Sequence, residues 1–428
     1  MLKKQDSMSQ AEAFALDLFE TVRAMSADTA GVTRPGYSEI ETQVLERLCE
    51  VGESLGMSAE WDGGGNLWLR RPGRNRDLPA FVTGSHADSV PQGGNYDGYA
   101  GIVAGLTLAW RLHHEGLETE RDFVVLAMRA EESAWFGKPY LGSAAILGKL
   151  KAKDLALTHR ETGKPLSDYM QAVGLDTERL LAGKPLVDLA AIGAFVELHI
   201  EQGPMLEEGE TAVGIVTGIR GNVRHRKVRC AGEAGHSGAV PKRLRHDPVL
   251  AAADLLSRIE EAWDQWLREG RDLVYTTGVL STDRATHAIS VIPGEVSFTV
   301  EARSLSHDTV DRFLAAIRAE AQVIGAERGV TFEFDEPIVS APADLDPRLM
   351  KRLARVAREA DIPYMGVPSG AGHDAALFAN AGVPTAMIFV RNQNGSHNPH
   401  EAMEIADFML GCELLWQMLV RFEEKIDE

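Results

Sequence analysis

The apolar positions of this chain change period repeatedly along its length, and each change marks an element. Ile40, Val44, Leu48, Val51 and Leu55 recur at helical spacing within SEIETQVLERLCEVGESLG. Ser38 and Glu41 make a capping-box pattern at the start of that helix, and Gly56 supplies its stop. After the turn WDGGGN come two strand-like runs, NLWLR and AFVTG, then the polar loop SHADSVPQGGNYDG and an apolar helix, YAGIVAGLTLAWRLHHEG. Strand, loop and helix in succession are the α/β signature. DFVVLAMR (122–129) and AFVELHIEQ (194–202) read as buried strands, expected to be neighbours in one sheet, with a helical stretch between them.

The middle of the chain follows another pattern. VRHRKVRCAG, a long amphipathic stretch from Asp247 to Glu269, LVYTTGVLS, EVSFTVEARS, a helix from His307 to about Gly325 and then VTFEF predict a separate sheet covered by helices on one face. From about Asp335 the first alternation returns, with a helix over Pro347 to Ala360, the loop PSGAGHDA, the strand PTAMIFV and a closing helix, ADFMLGCELLWQMLVRF. One domain is therefore expected to interrupt another.

Composition narrows the function classes. A chain of 428 residues, 44% of them apolar, suits two cores better than one. Its net charge of -19 argues against nucleic acid and anionic membrane surfaces as partners. No apolar run approaches the roughly 20 residues of a membrane span, and MLKKQDSMSQAEAF lacks a signal-peptide core, so a cytoplasmic location is the expectation. Cys49, Cys230 and Cys412 lie far apart without CxxC spacing and read as inert buried thiols rather than a disulfide framework or thiolate zinc site.

Chemistry gathers where predicted strands run out into loops. His86 follows the strand AFVTG, with Asp88 placed to accept its second ring N–H. Asp97 lies in GGNYDG, where Gly93, Gly94 and Gly98 allow close backbone approach, although an Asp-Gly turn would read the same. Glu131 and Glu132 directly follow a buried strand, where adjacent carboxylates repel unless a cation or proton compensates them. In ELHIEQG, alternation puts Glu197, His199 and Glu201 on one face, expected to point away from the core. GSHNPHE adds His397 and His400 in a polar loop. His86, Asp97, Glu132, His199 and His397 together suggest a two-metal hydrolase.

These motifs carry a family resemblance. TGSHADSVPQGGNYDG, EESAWFG, ELHIEQGP, AGHSGAVP, SGAGHDA and GSHNPHE, spread between about Thr33 and Phe408, resemble the dinuclear zinc amidohydrolases of the aminoacylase and carboxypeptidase superfamily. The branch is that of N-carbamoyl-L-amino-acid hydrolases, allantoate amidohydrolases and β-ureidopropionases. The resemblance implies an α/β fold: a mixed-sheet catalytic domain with helices on both faces (1–219 and 333–428), interrupted by a smaller α+β lid and dimerisation domain (220–332).

It further implies two divalent ions per subunit, zinc or alternatively manganese, cobalt or nickel. His86 and His199 would hold one ion, Glu132 and His397 the other, with Asp97 between them. Glu131 would be the general base for an activated water, and His236 an oxyanion-stabilising group reaching the partner's site in a homodimer. Gln202 and Arg303 would contact a small carboxylate-bearing substrate, an Arg fork matching its two oxygens. Ser290 and His287 stand where family members usually carry asparagines, and Arg391, Asn392 and Gln393 form an unusually polar set, so the substrate itself is left open. The expected reaction is hydrolysis of an N-carbamoyl, N-acyl or ureido amino acid at a linear C–N bond. A dipeptidase or aminoacylase, and a non-catalytic metal-binding relative, are the alternatives; keeping Glu131 beside all five ligand positions favours the enzyme.

Overall fold

Seven consecutive buried residues make up the strand Ala80–His86 and six the strand Phe123–Met128, as expected of strands covered on both faces. The computed structural model describes residues 2–424. The chain divides into two units, Met1–Gly218 with Asp344–Glu428, and Ile219–Ala343.

The first unit is built on an eight-stranded sheet in the order Ser58–Trp61, Leu67–Arg71, Phe123–Met128, Ala80–His86, Ile192–Ile200, Thr385–Val390, Val213–Ile219 and Tyr364–Ser369. Its four central strands run parallel. Antiparallel pairing flanks them, through Leu67–Arg71 on one side and Val213–Ile219 on the other. Phe123–Met128 and Ile192–Ile200 thus share the sheet without being neighbours, because Ala80–His86 lies between them. Hydrophobic pattern reports burial, while parallel order depends on where crossovers lead.

Helices cover both faces. Ala194, Val196 and Leu198 share a core with Tyr99, Val103 and Leu106 of the helix Tyr99–His114, whereas Phe195, pointing the other way, packs on Phe378 of Asp374–Ala379 with ring centroids 4.5 Å apart. The helix Leu2–Ser26 was not among the predicted elements. Its positions Ala11, Ala15, Leu18 and Val22 recur at helical spacing and are buried, and Phe19 meets the rings of Tyr99 and Phe408 edge-on.

In the second unit Gly221–Ala231 pairs antiparallel with Glu295–Ser304, whose residues alternate strictly between buried and partly buried. That alternation is the mark of a sheet covered on one face, here by the helices Pro248–Arg268 and His307–Arg328. LVYTTGVLS breaks into two short strands, Val274–Thr276 and Leu280–Thr282. Both Thr331–Phe334 and Ile338–Ser340 pair with Gly221–Ala231, so the inserted unit extends to Ala343 rather than ending at 332. Among the described residues no helix is long and apolar enough to cross a membrane.

The parallel strands deliver their carboxyl ends to one edge of the sheet. His86 ends one strand, Met128 leads directly into 129–132, His199 is the penultimate residue of a third, and Val390 leads into the loop carrying His397. Loops at such an edge are where α/β sheets bind ligands. The register there is set partly by Gly84, at φ +151°, where a Cβ would lie 1.8 Å from the carbonyl oxygen of Leu126 on the next strand. Gly84→Ala is accordingly expected to destabilise the fold by about 1–3 kcal/mol, the range of a forced overpacking, read as a lowered urea midpoint at unchanged m-value.

Candidate metal centre

The His86 and His199 imidazoles, at the ends of two strands, are each oriented by a carbonyl behind the ring. His199 Nδ1 lies 2.8 Å from the carbonyl oxygen of Ile200, and His86 Nδ1 lies 3.2 Å from that of Asp88 and 3.3 Å from Asp88 Oδ1. A carbonyl can only accept, so each Nδ1 carries the proton and each Nε2 turns a lone pair toward the centre of the site. Nε2 of His199 lies 3.3 Å from Asp97 Oδ1 and that of His86 3.8 Å from the same oxygen. Asp97 Oδ2 faces the opposite side, with His397 Nε2 at 3.2 Å, and His397 Nε2 is in turn 3.3 Å from Glu132 Oε1.

Asp97 therefore offers one oxygen to the pair His86 and His199 and the other to the pair Glu132 and His397. In each trio, His86–Asp97–His199 and Asp97–Glu132–His397, one ligand atom per residue falls within 4.8 Å of the others. All five residues predicted as ligands meet here, four of them buried and His397 exposed.

The glycines of the Asp97 loop make the approach possible. Gly98, at φ +66°, has the His86 ring where its Cβ would be, 2.3 Å away, and its N–H donates to His199 Nε2 at 3.2 Å. Gly94 leaves the same room for Glu401, which accepts the N–H groups of Tyr96 and Asp97 and the hydroxyl of Ser396. Any side chain at Gly98 would displace an imidazole.

Asp88 serves two elements at once. Besides facing the His86 ring, its Oδ1 accepts the Glu131 N–H at 2.9 Å and its Oδ2 the Glu132 N–H at 3.0 Å. The adjacent carboxylates of the Glu131–Glu132 pair are thereby fixed by their backbone, and Glu131 Oε2 stands 4.0 Å from His86 Nε2.

The electrostatics are those of carboxylates confined together. Burial pushes Glu131 well above the ordinary glutamate range, against the pull of His86, and raises Glu132 against the hydrogen bond from His397. Burial also acts to raise Asp97, but His199 and His397 outweigh it and hold that carboxyl well below the usual range. His397, hydrogen-bonded by Asp97 and then Glu132, is pushed up to about 11. In effect the His397 imidazole is drawn toward the protonated form to balance the acids. Asp97 Oδ1, buried, nevertheless accepts no hydrogen bond, an outcome that normally carries a penalty. An unsatisfied buried carboxylate oxygen facing two imidazole lone pairs fits a divalent cation of the imidazole- and carboxylate-binding kind.

Some predicted residues sit elsewhere or play further parts. The Nε2 of Gln202, at φ +62°, donates to Asp97 Oδ2 at 2.9 Å, and its backbone N–H donates to Asn392. His236, Arg303, Ser290 and His287 belong to the second unit. His236, Ser290 and His287 are exposed there, with His287 Nδ1 3.0 Å from Thr282 Oγ1, while Arg303 Nη2 pairs with Glu301 at 2.9 Å.

The face carrying Glu197, His199 and Glu201 does not point away from the core, as alternation suggested, but is buried under polar partners. Glu197 accepts from Ser85 Oγ at 2.6 Å and from the Ala375 N–H at 2.9 Å, and Glu201 accepts the N–H groups of Met205 and Leu206. Of the polar loop residues, Arg391 pairs with Asp407 and Asn392 joins the Gln202 and Gly395 segments. His373 went unassigned in the sequence. It is buried, its Nε2 2.9 Å from Ser369 Oγ and its ring edge-on to His199 at 4.5 Å, and with Glu197 and His199 it forms a further potential ligand trio. Its signal was the motif SGAGHDA, which periodicity places only in a loop.

The chain is similar to known proteins over nearly its whole length. The chain is 35% identical to an N-carbamoyl-L-amino acid amidohydrolase of Geobacillus stearothermophilus, over 96% of this chain and 99% of that one. It is 32% identical to the allantoate amidohydrolase of Escherichia coli K12, over 92% of this chain and 94% of that one. The crystal structure of a hydantoinase/carbamoylase family amidase from Burkholderia multivorans superposes with a TM-score of 0.87 at 28% identity, covering 97% of this chain and 98% of that one. Residues 82–421, which carry every element of the site described above, match Peptidase family M20/M25/M40, and the chain belongs to that family.

Proposed function

We propose that this amidohydrolase cleaves a linear C–N bond of an N-carbamoyl amino acid or related ureido acid, using two divalent cations held by His86, His199, Asp97, Glu132 and His397. The reading rests above all on Asp97, whose two oxygens divide between two ligand pairs while one of them stays unsatisfied by any protein donor. Relatives bearing the names N-carbamoyl-L-amino acid amidohydrolase, allantoate amidohydrolase and ureidoglycolate hydrolase support the ureido substrate class. Bound cations would supply acidified water and polarisation of the substrate carbonyl.

The chain's own groups do the rest. Glu131, buried beside the ligands and fixed by Asp88 through its backbone, takes a proton from water during attack and passes it to the leaving nitrogen. Asp88 holds the His86 ring so that Nε2 faces inward. Gln202, whose amide rests on Asp97, contacts the substrate beside the ligands. Arg303 offers a fork for the substrate carboxylate, His236 a donor for the oxyanion, and Ser290 and His287 the contacts that set preference among substrates. The inserted unit acts as lid and dimer interface, and the enzyme works in the cytoplasm as a homodimer.

Three measurements test this reading. Metal-reconstituted protein offered N-carbamoyl, N-formyl and N-acetyl amino acids, ureidopropionate and allantoate should release ammonia from the ureido compounds; turnover confined to the N-acetyl substrates would move the assignment to an aminoacylase. Glu131→Gln should lower kcat by about 100- to 10,000-fold, the worth of a positioned general base, with bound metal unchanged by elemental analysis. Chelation should abolish turnover and lower Tm, and returning zinc to a hundred times its Kd should restore about 2.7 kcal/mol of stability for each site filled; a chelated protein that kept its activity would dismiss the metal centre.

A further inference from the structure

Glu131 and Glu132 enter the site from a backbone that is not at rest. Ala130, the residue before them, has φ +50°, a left-handed conformation that a residue with a side chain adopts only where its surroundings enforce it. Asp88 secures the far side of this kink by accepting the two glutamate N–H groups. The near side is secured from a different part of the chain. Glu41 Oε1 accepts the Ala130 N–H at 3.0 Å, and Glu41 Oε2 accepts the N–H of Tyr37 at 2.7 Å. Tyr37 is itself left-handed, at φ +57°.

The same carboxylate faces Arg129 Nε at 3.3 Å, and Arg129 donates through Nη2 to Thr42 Oγ1, one residue beyond Glu41. Glu41 and Arg129 are both buried, and Gly36 lies so close that its Cβ would sit 2.4 Å from that of Ala130. Capping of its own helix does not account for Glu41. Ser38 accepts the Glu41 N–H as the sequence pattern requires, but the Ser38 N–H is taken by the carbonyl of Pro35, and the Glu41 side chain turns outward to Tyr37 and Ala130.

We propose that Glu41 is a positioning residue for the reaction: by bracing Ala130 in its left-handed conformation it sets where Glu131 and Glu132 stand. The proposal rests on the roles given above to those two glutamates. It assigns Glu41 no contact with substrate or metal. Glu41→Gln keeps the shape but replaces one acceptor oxygen with an NH2 group that faces a backbone N–H, and it removes the charge opposite Arg129. Ala130→Gly removes the conformational cost that Glu41 offsets.

The test compares wild type, Glu41→Gln, Ala130→Gly, the double variant and Glu131→Gln. It uses steady-state kinetics on the best ureido substrate and amide hydrogen exchange of the metal-free proteins. Glu41→Gln should lower kcat by about 10- to 100-fold, the effect of a small misplacement of reacting groups, with KM within about twofold, and should speed exchange at the Glu131 and Glu132 amides. Ala130→Gly should be close to wild type and should recover most of the lost kcat in the double variant. Wild-type kcat in Glu41→Gln would overturn the proposal, as would a loss that Ala130→Gly does not recover while the two amides stay protected. An active Glu131→Gln would instead reject the base assignment. Should Glu41→Gln not fold, Glu41→Asp, which keeps the charge but withdraws the oxygens from Ala130, is held to the same readings.

Discussion

Negative charge packed at the carboxyl ends of parallel strands is the constraint on which this structure turns. Asp97, Glu131 and Glu132 are buried within reach of one another, and the groups set against them are the imidazoles of His86, His199 and His397. Removing carboxylates from water costs several kcal/mol each unless positive charge compensates them. His397, drawn toward its protonated form, balances that charge only in part, and Asp97 Oδ1 stays without a hydrogen-bond donor. The pair of divalent cations proposed here would satisfy the same groups at once, so that a site costly as a purely structural feature would be serviceable as a reaction centre.

The fold holds this charge in place through backbone rather than through long side chains. Asp88, Glu41 and Glu401 each accept main-chain N–H groups from segments that carry or adjoin proposed site residues, and Glu197 accepts that of Ala375, near His373. Buried carboxylates that accept such bonds act as rivets between loops; Ala130, held by Glu41, is left-handed, and Gln202 and His397 also have positive φ. Gly94 and Gly98 are the counterpart on the other side, positions where the absence of a Cβ lets Glu401 and His86 close in.

Much of this was legible in the sequence, and its limits are physical. The strands of 122–129 and 194–202 were visible because continuous apolar runs bounded by turns have few other readings, and the five convergent residues were visible because each follows such a run. The order of the strands was not, since nothing in Phe123–Met128 says that Ala80–His86 lies beside it. The inserted unit was placed too short because Thr331–Phe334 looked like its last strand, whereas Ile338–Ser340 also pairs with Gly221–Ala231. The Ser38 and Glu41 pattern located a helix start correctly and misled about the Glu41 side chain, because a capping-box motif cannot tell whether another segment competes for the carboxylate. His373 was hidden for a similar reason: its neighbours Ser369 and His199 are assembled by the sheet.

As proposed, these side chains would cage two cations that share Asp97. Anomalous diffraction from crystals of the metal-loaded protein, collected on both sides of the metal absorption edge, tests it most directly. Two peaks per chain are expected, one between His86 and His199 and one between Glu132 and His397, each also contacting Asp97. A catalytically active crystal with no peak among these residues, or with its metal bound elsewhere, would contradict it.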